Sequence, residues 1–294
     1  MSESGTAWSG VPDEGFDFSN ADFERVRTLI YRRAGISLNA SKRSMVYSRL
    51  SRRLRALGKK DFAGYLDDLE AAPPNNPEWQ QFVNALTTNL TSFFREAHHF
   101  PILAEHLRQL AGRGPLRIWC CAASTGEEPY SIAITAMEAF ATSTPPVSIL
   151  ATDIDTSVLA TAQQGIYREE AVAKLALALL KRYFLRGQGR NAGLVRLRPQ
   201  VRALVTFRQL NLLAARWPID TRFDAIFCRN VMIYFDQDTQ RRVLQKLAAR
   251  LAPHGLLFAG HSENFTHTSD LFRLQGKTVY RLADPASAYR DQTA

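Results

Sequence analysis

The stretch LRIWCCAASTGEEPYSIAI, residues 116–134, decides the architecture. Residues 116–123 form an apolar run, interrupted only by Arg117, with a turn after it, the pattern of a strand buried on both faces. Ser124-Thr125-Gly126 supplies the turn. Glu127, Glu128 and Pro129 then lead into helical periodicity over residues 130–141. Acids favour the positive end of a helix dipole, and proline near the first helical position gives up an N–H that would lack an intrahelical partner there. Strand, loop and helix in this order are the first unit of a doubly wound sheet, which binds ligands outside the carboxyl ends of its strands. A dinucleotide loop would carry G-x-G-x-x-G, and a P-loop would end in G-K-[ST]. This loop has one glycine, no lysine and two carboxylates, which would repel a phosphate. S-adenosylmethionine has no phosphate and offers a sulfonium, an ammonium and ribose hydroxyls, so its chemistry suits the loop.

Outward from this unit the alternation continues. Apolar runs at residues 147–152, 223–228 and 255–259 are interleaved with helical patterns at 156–164 and 239–251, which predicts a mainly parallel sheet covered on both faces. The texture changes at about residues 166–207. There Arg186-Gly-Gln-Gly-Arg-Asn-Ala-Gly193 separates YFL from LVRLR, predicting an inserted antiparallel unit built on a hairpin with a long turn. Before Ala111-Gly-Arg-Gly-Pro115 the periodicity predicts short helices at 22–34, 40–57, 61–71 and 77–89. Residues 1–15 lack periodicity and read as disordered. The expected division is 1–15 disordered, 16–88 a helical domain, and 89–294 an α/β domain carrying the insertion.

The 294 residues carry a net charge of +9 with 46 % apolar content, an ordinary globular composition. Between Ala21 and Lys60 there are twelve Lys/Arg against two acids, so this one segment holds the whole excess. Val46, Leu50, Leu54 and Leu57 mark the apolar stripe of an amphipathic helix, with Arg49, Arg52 and Arg53 largely off it. No acid lies between Lys42 and Lys60. This predicts a basic surface for an acidic partner. No run reaches the ~20 apolar residues of a membrane span, and residues 1–15 lack signal-peptide character, so the expectation is a cytoplasmic protein without membrane insertion. Cys120, Cys121 and Cys228 lie in apolar runs without metal-ligand spacing and are expected as small core residues.

The second strand sharpens the site. ILATDID places Asp153 at the tip of a strand, where an acid accepts hydrogen bonds from ribose hydroxyls. Asp155, followed by Thr156, is expected to cap the next helix. Further ligand groups are expected after later strands, at residues 211–213 (NLL) and 228–230 (CRN). His98 and His99 precede an apolar helix without a metal-ligand partner at fitting spacing, and a helix-end or surface role is expected. His261 and Glu263 are expected in a loop at the sheet edge, touching the site or capping the next element, with no part in catalysis.

The segments TTNLTSFFRE (87–96), AASTGEEPYSIAI (122–134), ATDIDTSVL (151–159), FDAIFCRNVMIYF (223–235) and GLLFAGHSENF (255–265) together resemble the chemotaxis receptor methyltransferase family, CheR. Similarity runs from about residue 18 to 282. The resemblance implies a class I methyltransferase domain of doubly wound, mainly parallel α/β type, a small all-α amino-terminal domain and an inserted antiparallel β subdomain. It implies S-adenosylmethionine contacts at Asn89, Thr91, Arg95, Glu128, Asp153, Asn211, Leu212, Arg229 and Asn230, with Arg95 and Tyr234 close to the transferring methyl, and no metal. The implied substrate is the glutamate carboxylates on acidic methylation helices of methyl-accepting chemotaxis receptors. The subdomain would dock a pentapeptide at the receptor's carboxyl terminus through Arg186, Gly193 and Arg196, while Arg49, Arg52 and Arg53 face the receptor. A monomer recruited to receptor arrays is expected.

Two rival functions make different demands. A nucleic-acid amino-methylating enzyme would carry a D/N-P-P-Y/F loop and a cytosine C5 enzyme a Pro-Cys nucleophile, and this sequence has CRNVMIYF in that place. A non-catalytic scaffold would be expected to lose Arg95, Asp153 or Tyr234, and all three are present.

Overall fold

The computed structural model describes residues 15–265 and 268–284; of the segment 1–15 expected to be disordered, all but Gly15 falls outside them. Among the described residues, four helices build the amino-terminal domain: α1 (Asn20–Ala34), α2 (Arg43–Leu57), α3 (Phe62–Ala71) and α4 (Pro77–Leu86). Side chains satisfy the free amides of three first turns. Ser19 accepts from the Asp22 amide and Asp22 returns the bond, Asp61 accepts from the Gly64 amide, and Asn76 from that of Glu78. Val46, Leu50 and Leu54 are fully buried with Ile30, Phe62, Leu66 and Phe82, whereas Leu57, the expected fourth member of the stripe, is 40 % exposed. It is the last residue of α2, where Gly58 already turns the chain. Helix α4 stops at Leu86 rather than residue 89, because Thr87 and Asn89 are drawn sideways onto the Asp155 carboxylate at 2.7 and 2.9 Å.

The larger domain follows as α5 (His99–Gln109), β1 (Leu116–Cys120), α6 (Glu127–Phe140), β2 (Val147–Asp153), α7 (Thr156–Gln164), β3 (Ile166–Arg168), α8 (Glu169–Val172), α9 (Leu177–Tyr183), β4 (Phe184–Arg186), β5 (Leu194–Leu197), α10 (Pro199–Ala203), β6 (Val205–Gln209), β7 (Phe223–Cys228), α11 (Gln237–Arg250), β8 (Leu251–Ala259), β9 (Phe272–Gly276) and β10 (Val279–Leu282). Among the described residues seven strands form the main sheet in the order β6-β2-β1-β7-β8-β10-β9. The first five are parallel, and β10 runs antiparallel to both β8 and β9. Alternate residues of β1 enter opposite cores: Ile118 and Cys120 pack towards α5 and α6, Trp119 and Cys121 towards α11. Each buried side chain of this size contributes roughly 1.5–3 kcal/mol, which is why the central parallel strands read as mostly apolar runs, broken only near their starts by Arg117, Ser148 and Asp224 and at the end of β2 by Thr152 and Asp153. All three cysteines are buried and free, as expected of small core residues.

Strands β3, β5 and β4 make a separate antiparallel sheet, with the expected hairpin between β4 and β5. The expected extent of that insertion, to about residue 207, is too long by a few residues. β6 is the edge strand of the main sheet, paired in parallel with β2 from Ile149↔Val205 to Asp153↔Gln209. One side of an edge strand meets solvent, so its pattern is too polar to read as sheet core. The closing hairpin of β9 and β10 escaped the sequence reading for the same reason, four of the five β9 residues being exposed.

Polar contacts join the two domains. Asn84 donates to the Thr156 and Ser157 hydroxyls at 2.9 Å each, Gln80 to the Ile154 carbonyl at 2.9 Å, and Asn211 to the Arg33 carbonyl at 2.9 Å. The Ser37 amide donates to the Tyr234 carbonyl at 2.9 Å. Gly35, at φ +68°, lets the end of α1 lie on Leu213; a Cβ there would meet Leu213 Cδ1 at 2.2 Å.

Candidate active site

The carboxyl ends of β1, β2 and β7 open into one cleft, closed on its other side by the linker 87–95 and by α1, α2 and the loop between them. Every residue expected to touch the cofactor lines it: Asn89, Thr91, Arg95, Glu128, Asp153, Asn211, Leu212, Arg229 and Asn230, together with Tyr234. Contributions from Ile36, Leu38, Lys42 and Met45 had no signal in the sequence, because which helix residues face another domain depends on how the domains dock.

Asp153 sits at the end of β2, 8 % exposed. Its Oδ2 accepts the Ser124 amide at 2.8 Å and its Oδ1 the Asp155 amide at 3.0 Å. A carboxylate has about four lone-pair sites, so two remain for the cleft it lines, as a ribose diol requires. Burial pushes the Asp153 carboxyl up, against the pull of these amides. The loop before α6 is packed tightly against α7 and β3. Ser124 is left-handed at φ +48° and donates its hydroxyl to the Asn89 carbonyl at 2.9 Å. Gly126 lies at φ +100°, and a Cβ there would meet the Tyr167 hydroxyl at 2.8 Å and Ala162 Cβ at 3.0 Å. Asp155 caps α7 as expected, accepting from the Ser157 and Val158 amides. It also holds Thr87 and Asn89, so the cap residue fastens the linker as well.

The two glutamates at the start of α6 differ from the picture of a pair of bare negative charges. Glu127 is 8 % exposed, does not line the cleft, and accepts the Thr125 hydroxyl at 2.7 Å. Glu128 is neutralised by Arg229, whose Nη1 lies 2.8 Å from its Oε2, and it accepts the Cys120 thiol at 3.2 Å. Arg229 has a fully buried side chain, pairs with Glu96 at 3.3 Å and donates to the Arg95 carbonyl. The guanidinium thus joins the start of α6, the linker and the turn after β7. Glu96 belongs to the motif TTNLTSFFRE but was missed as a site residue; an acid flanking an arginine gives no sign of a partner more than a hundred residues away. Burial pushes Glu96 up, but Arg229, the His261 amide and ring, and Asn230 hold it down at about 2.

Arg95 folds over the linker, its Nη1 2.9 Å from the Leu90 carbonyl. Among the described residues the Tyr234 hydroxyl has no hydrogen-bond partner. Its carbonyl holds the Ser37 amide and the residue lines the cleft. Asn230 is left-handed at φ +57°, with its side-chain amide 3.3 Å from Glu96 Oε1. The Asn211 side chain bridges the Arg33 carbonyl and the Leu213 amide, and the Leu212 carbonyl accepts the Trp217 indole N–H at 3.2 Å.

Glu96, His98 and His99 present ligand atoms within 4.8 Å of one another. A divalent ion there would share Glu96 with the buried Arg229 guanidinium, and that like-charge contact disfavours a metal. His99 begins α5, in accord with the expected helix-end role, but it is fully buried rather than a surface group. Its Nε2 donates to the Lys277 carbonyl at 2.9 Å, tying the start of α5 to the closing hairpin. Burial lowers its pKa to about 4, with Arg229 and His98 adding to that effect and the Lys277 bond opposing it. A depressed histidine pKa means that the folded state binds this proton less tightly. The contribution is intact above about pH 6.5 and is lost as pH falls towards 4, amounting to about 2 kcal/mol between pH 7 and pH 5. Burial raises the carboxyls of Glu128 and Glu263, which acts in the opposite direction, so the test is a difference. The stability advantage of the parent over His99→Gln, which retains a donor for Lys277, shrinks by that amount on going from pH 7 to pH 5 in urea titrations. A constant difference would show that His99 does not titrate as a buried neutral ring.

The basic segment is also corrected. Arg25 pairs with Asp67 and Glu70 at 2.7 Å, Lys59 with Asp68, and Arg53 with Glu78, which also accepts the Tyr65 hydroxyl. Arg49 donates to the Thr87 carbonyl past the end of α4. The acids absent from the 42–60 window come from α3 and α4, and residues 16–88 carry twelve Lys/Arg against eight acids. Among the described residues Arg32, Lys42, Arg52 and Lys60 are the exposed, unpaired cations of this segment. In the β subdomain Arg186 is 80 % exposed and pairs with Glu169 at 2.7 Å. Gly193 is exposed at φ +81°, and Arg196 is exposed between Ile166 and Leu185 across the sheet. These groups lie on the small sheet and do not line the cleft.

Residues 21–87 match the CheR methyltransferase all-alpha domain and residues 89–281 the CheR methyltransferase SAM binding domain. Chemotaxis protein methyltransferase 2 of Pseudomonas aeruginosa is 57 % identical over 272 residues, covering 92 % of this chain and 96 % of that protein. The chemotaxis protein methyltransferases of Klebsiella aerogenes and Escherichia coli are 56 % and 54 % identical, covering 95 % and 92 % of this chain and 95 % and 93 % of their own lengths. The cleft's acid at the tip of β2 fits S-adenosylmethionine, the cofactor of the matched domain, and the chain belongs to the CheR family of S-adenosylmethionine-binding methyltransferases.

Proposed function

We propose that this protein transfers the methyl group of S-adenosylmethionine to glutamate side chains of chemotaxis receptors, giving methyl esters that serve adaptation. The observation that carries the reading is the convergence of Arg95 and Tyr234 with Asp153 on one cleft, in a chain 54–57 % identical to chemotaxis protein methyltransferases. Bound cofactor supplies an electrophilic methyl on sulfur. A glutamate with an ordinary pKa of ≈ 4.3 is already ionised near neutrality, so the protein's task is alignment rather than base catalysis. Asp153 holds the ribose, and Asn89, Thr91, Asn211, Leu212 and Asn230 wall the cofactor. Arg95 orients a carboxylate by a charge-assisted hydrogen bond. Glu128 and Arg229 act at the cleft as a neutralised pair. Tyr234 directs its free hydroxyl to the incoming glutamate. For Tyr234→Phe the expected result is a fall in turnover of about tenfold or more, with cofactor affinity retained, in single-turnover and calorimetric measurements. Loss of affinity alone would remove this role.

The partner surface we assign is narrower than the sequence suggested. Arg52, with Lys42 at the cleft, meets the acidic methylation helices, while Arg49 and Arg53 hold α2 in place against α4. Arg186, Gly193 and Arg196 of the β subdomain form the tether site for the receptor's terminal pentapeptide. The reading carries with it a monomer at cytoplasmic receptor arrays, with no nucleic acid and no membrane insertion. Among the described residues no helix is long and apolar enough to cross a membrane.

The test is incubation with labelled S-adenosylmethionine and a receptor cytoplasmic fragment, followed by mild base. Label released as methanol from receptor glutamates is expected. Base-stable label, or transfer to nucleic acid, would overturn the assignment.

A further inference from the structure

We propose that Glu263 is a positioning residue for methyl transfer, whose carboxylate shapes the turn after β7 that presents Asn230, Val231 and Tyr234 to the cleft. The proposal rests on the preceding reading of Asn230 and Tyr234.

Glu263 follows β8 in the segment GHSENF and is 4 % exposed. It does not line the cleft. Both oxygens point at main chain. Oε1 accepts the amides of Val231 and Met232 at 2.9 and 2.8 Å, and Oε2 those of Asn230 and Gly260 at 2.9 and 2.6 Å. A carboxylate has about four acceptor sites, and here all four are engaged by N–H groups from two chain segments. Burial pushes this carboxyl up and the four amides pull it down. The geometry requires an acceptor at every position, which the ionised form provides.

The turn so held is not one the chain adopts freely. Asn230 is left-handed at φ +57°, an uncommon region for a residue with a side chain, and it persists only where surroundings over-determine it. Three successive amides converging on one carboxylate are that determination. Gly260 completes the arrangement: a Cβ there would lie 2.4 Å from Asn230 Nδ2 and 2.9 Å from both Asn230 N and Glu263 Oε2. The exits of β7 and β8 therefore meet backbone to backbone, with Glu263 as the joint. From this joint Asn230 reaches Glu96, and the Tyr234 carbonyl takes the Ser37 amide. One buried anion thus governs the register of the cleft wall against both the linker and the amino-terminal domain.

Glu263→Gln keeps the shape but sets a donor NH2 against at least two backbone N–H groups. At a temperature where circular dichroism shows the variant folded, we expect S-adenosylhomocysteine binding by calorimetry to weaken about tenfold or more. Turnover of a receptor fragment at saturating cofactor is expected to fall about tenfold to a hundredfold, with KM for the receptor changed less than turnover, because Arg52 and the tether site on the β subdomain do not touch this turn. Combining it with Asn230→Ala is expected to add little beyond the worse single change, since both act through one turn. Parent-like affinity and turnover with only a lower Tm would overturn the proposal, as would full additivity with Asn230→Ala. Should Glu263→Gln fail to fold, Glu263→Asp retains the charge one methylene short. Parent-like kinetics in that variant would overturn the proposal equally. Absence of receptor methylation by the parent protein would sink the functional reading instead and leave the calorimetric comparison standing.

Discussion

Asp153→Ala is expected to weaken S-adenosylhomocysteine binding by about a hundredfold or more and to abolish transfer under ordinary cofactor concentrations. Two effects add. The acceptor sites we assign to the ribose are lost, each worth ~1.5–3 kcal/mol when the acceptor is charged. The Ser124 and Asp155 amides, now bonded to its two oxygens, also lose their acceptor, so the loop before α6 loses its anchor to β2. Asp153→Asn separates these effects, because one oxygen remains to accept an amide while the NH2 group opposes the other. Isothermal titration of both variants checks the prediction. An alanine variant that binds within about threefold of the parent would show that the ribose is held elsewhere.

Arg229→Met is expected to cost about 3–5 kcal/mol of folding stability, the range for removing one partner from a buried ion pair. Glu96 and Glu128, 9 % and 10 % exposed at their side chains, would be left beside the cleft without a counter-charge. The Arg95 carbonyl would lose a donor as well. Without the guanidinium the carboxyls are expected to protonate more readily, so the defect should shrink between pH 7 and pH 5 in urea titrations. Replacing Glu128 by Gln in the same chain should recover part of the loss. A loss below about 1 kcal/mol at pH 7, as for an exposed pair, would mean that water reaches the guanidinium.

The two cases differ in how far the sequence disclosed them. Asp153 was legible because a strand's apolar run ends abruptly in an acid, and the doubly wound fold assigns that position a ligand. Arg229 was expected at the cleft through its motif, yet its second role, neutralising Glu96 and Glu128, required the distances. The basic segment shows the reverse error. A count of charges between Ala21 and Lys60 describes a cationic surface, but α3 and α4 bring Asp67, Asp68, Glu70 and Glu78 across to it. Local sequence records charges without recording which ones meet.

Local chemistry alone determined the elements: the apolar runs of β1, β2 and β7, the Asp155 cap, and the single-glycine loop between β1 and α6. Each depends on residues within a few positions of one another, where sequence spacing is spatial spacing. The tertiary structure alone decided that β6, β9 and β10 complete the main sheet, that α1 and α2 close the cleft, and that Glu263 holds the turn after β7. The β9–β10 hairpin apart, those outcomes rest on contacts between segments about twenty to two hundred residues apart, and such contacts exist only once the buried faces have chosen their partners.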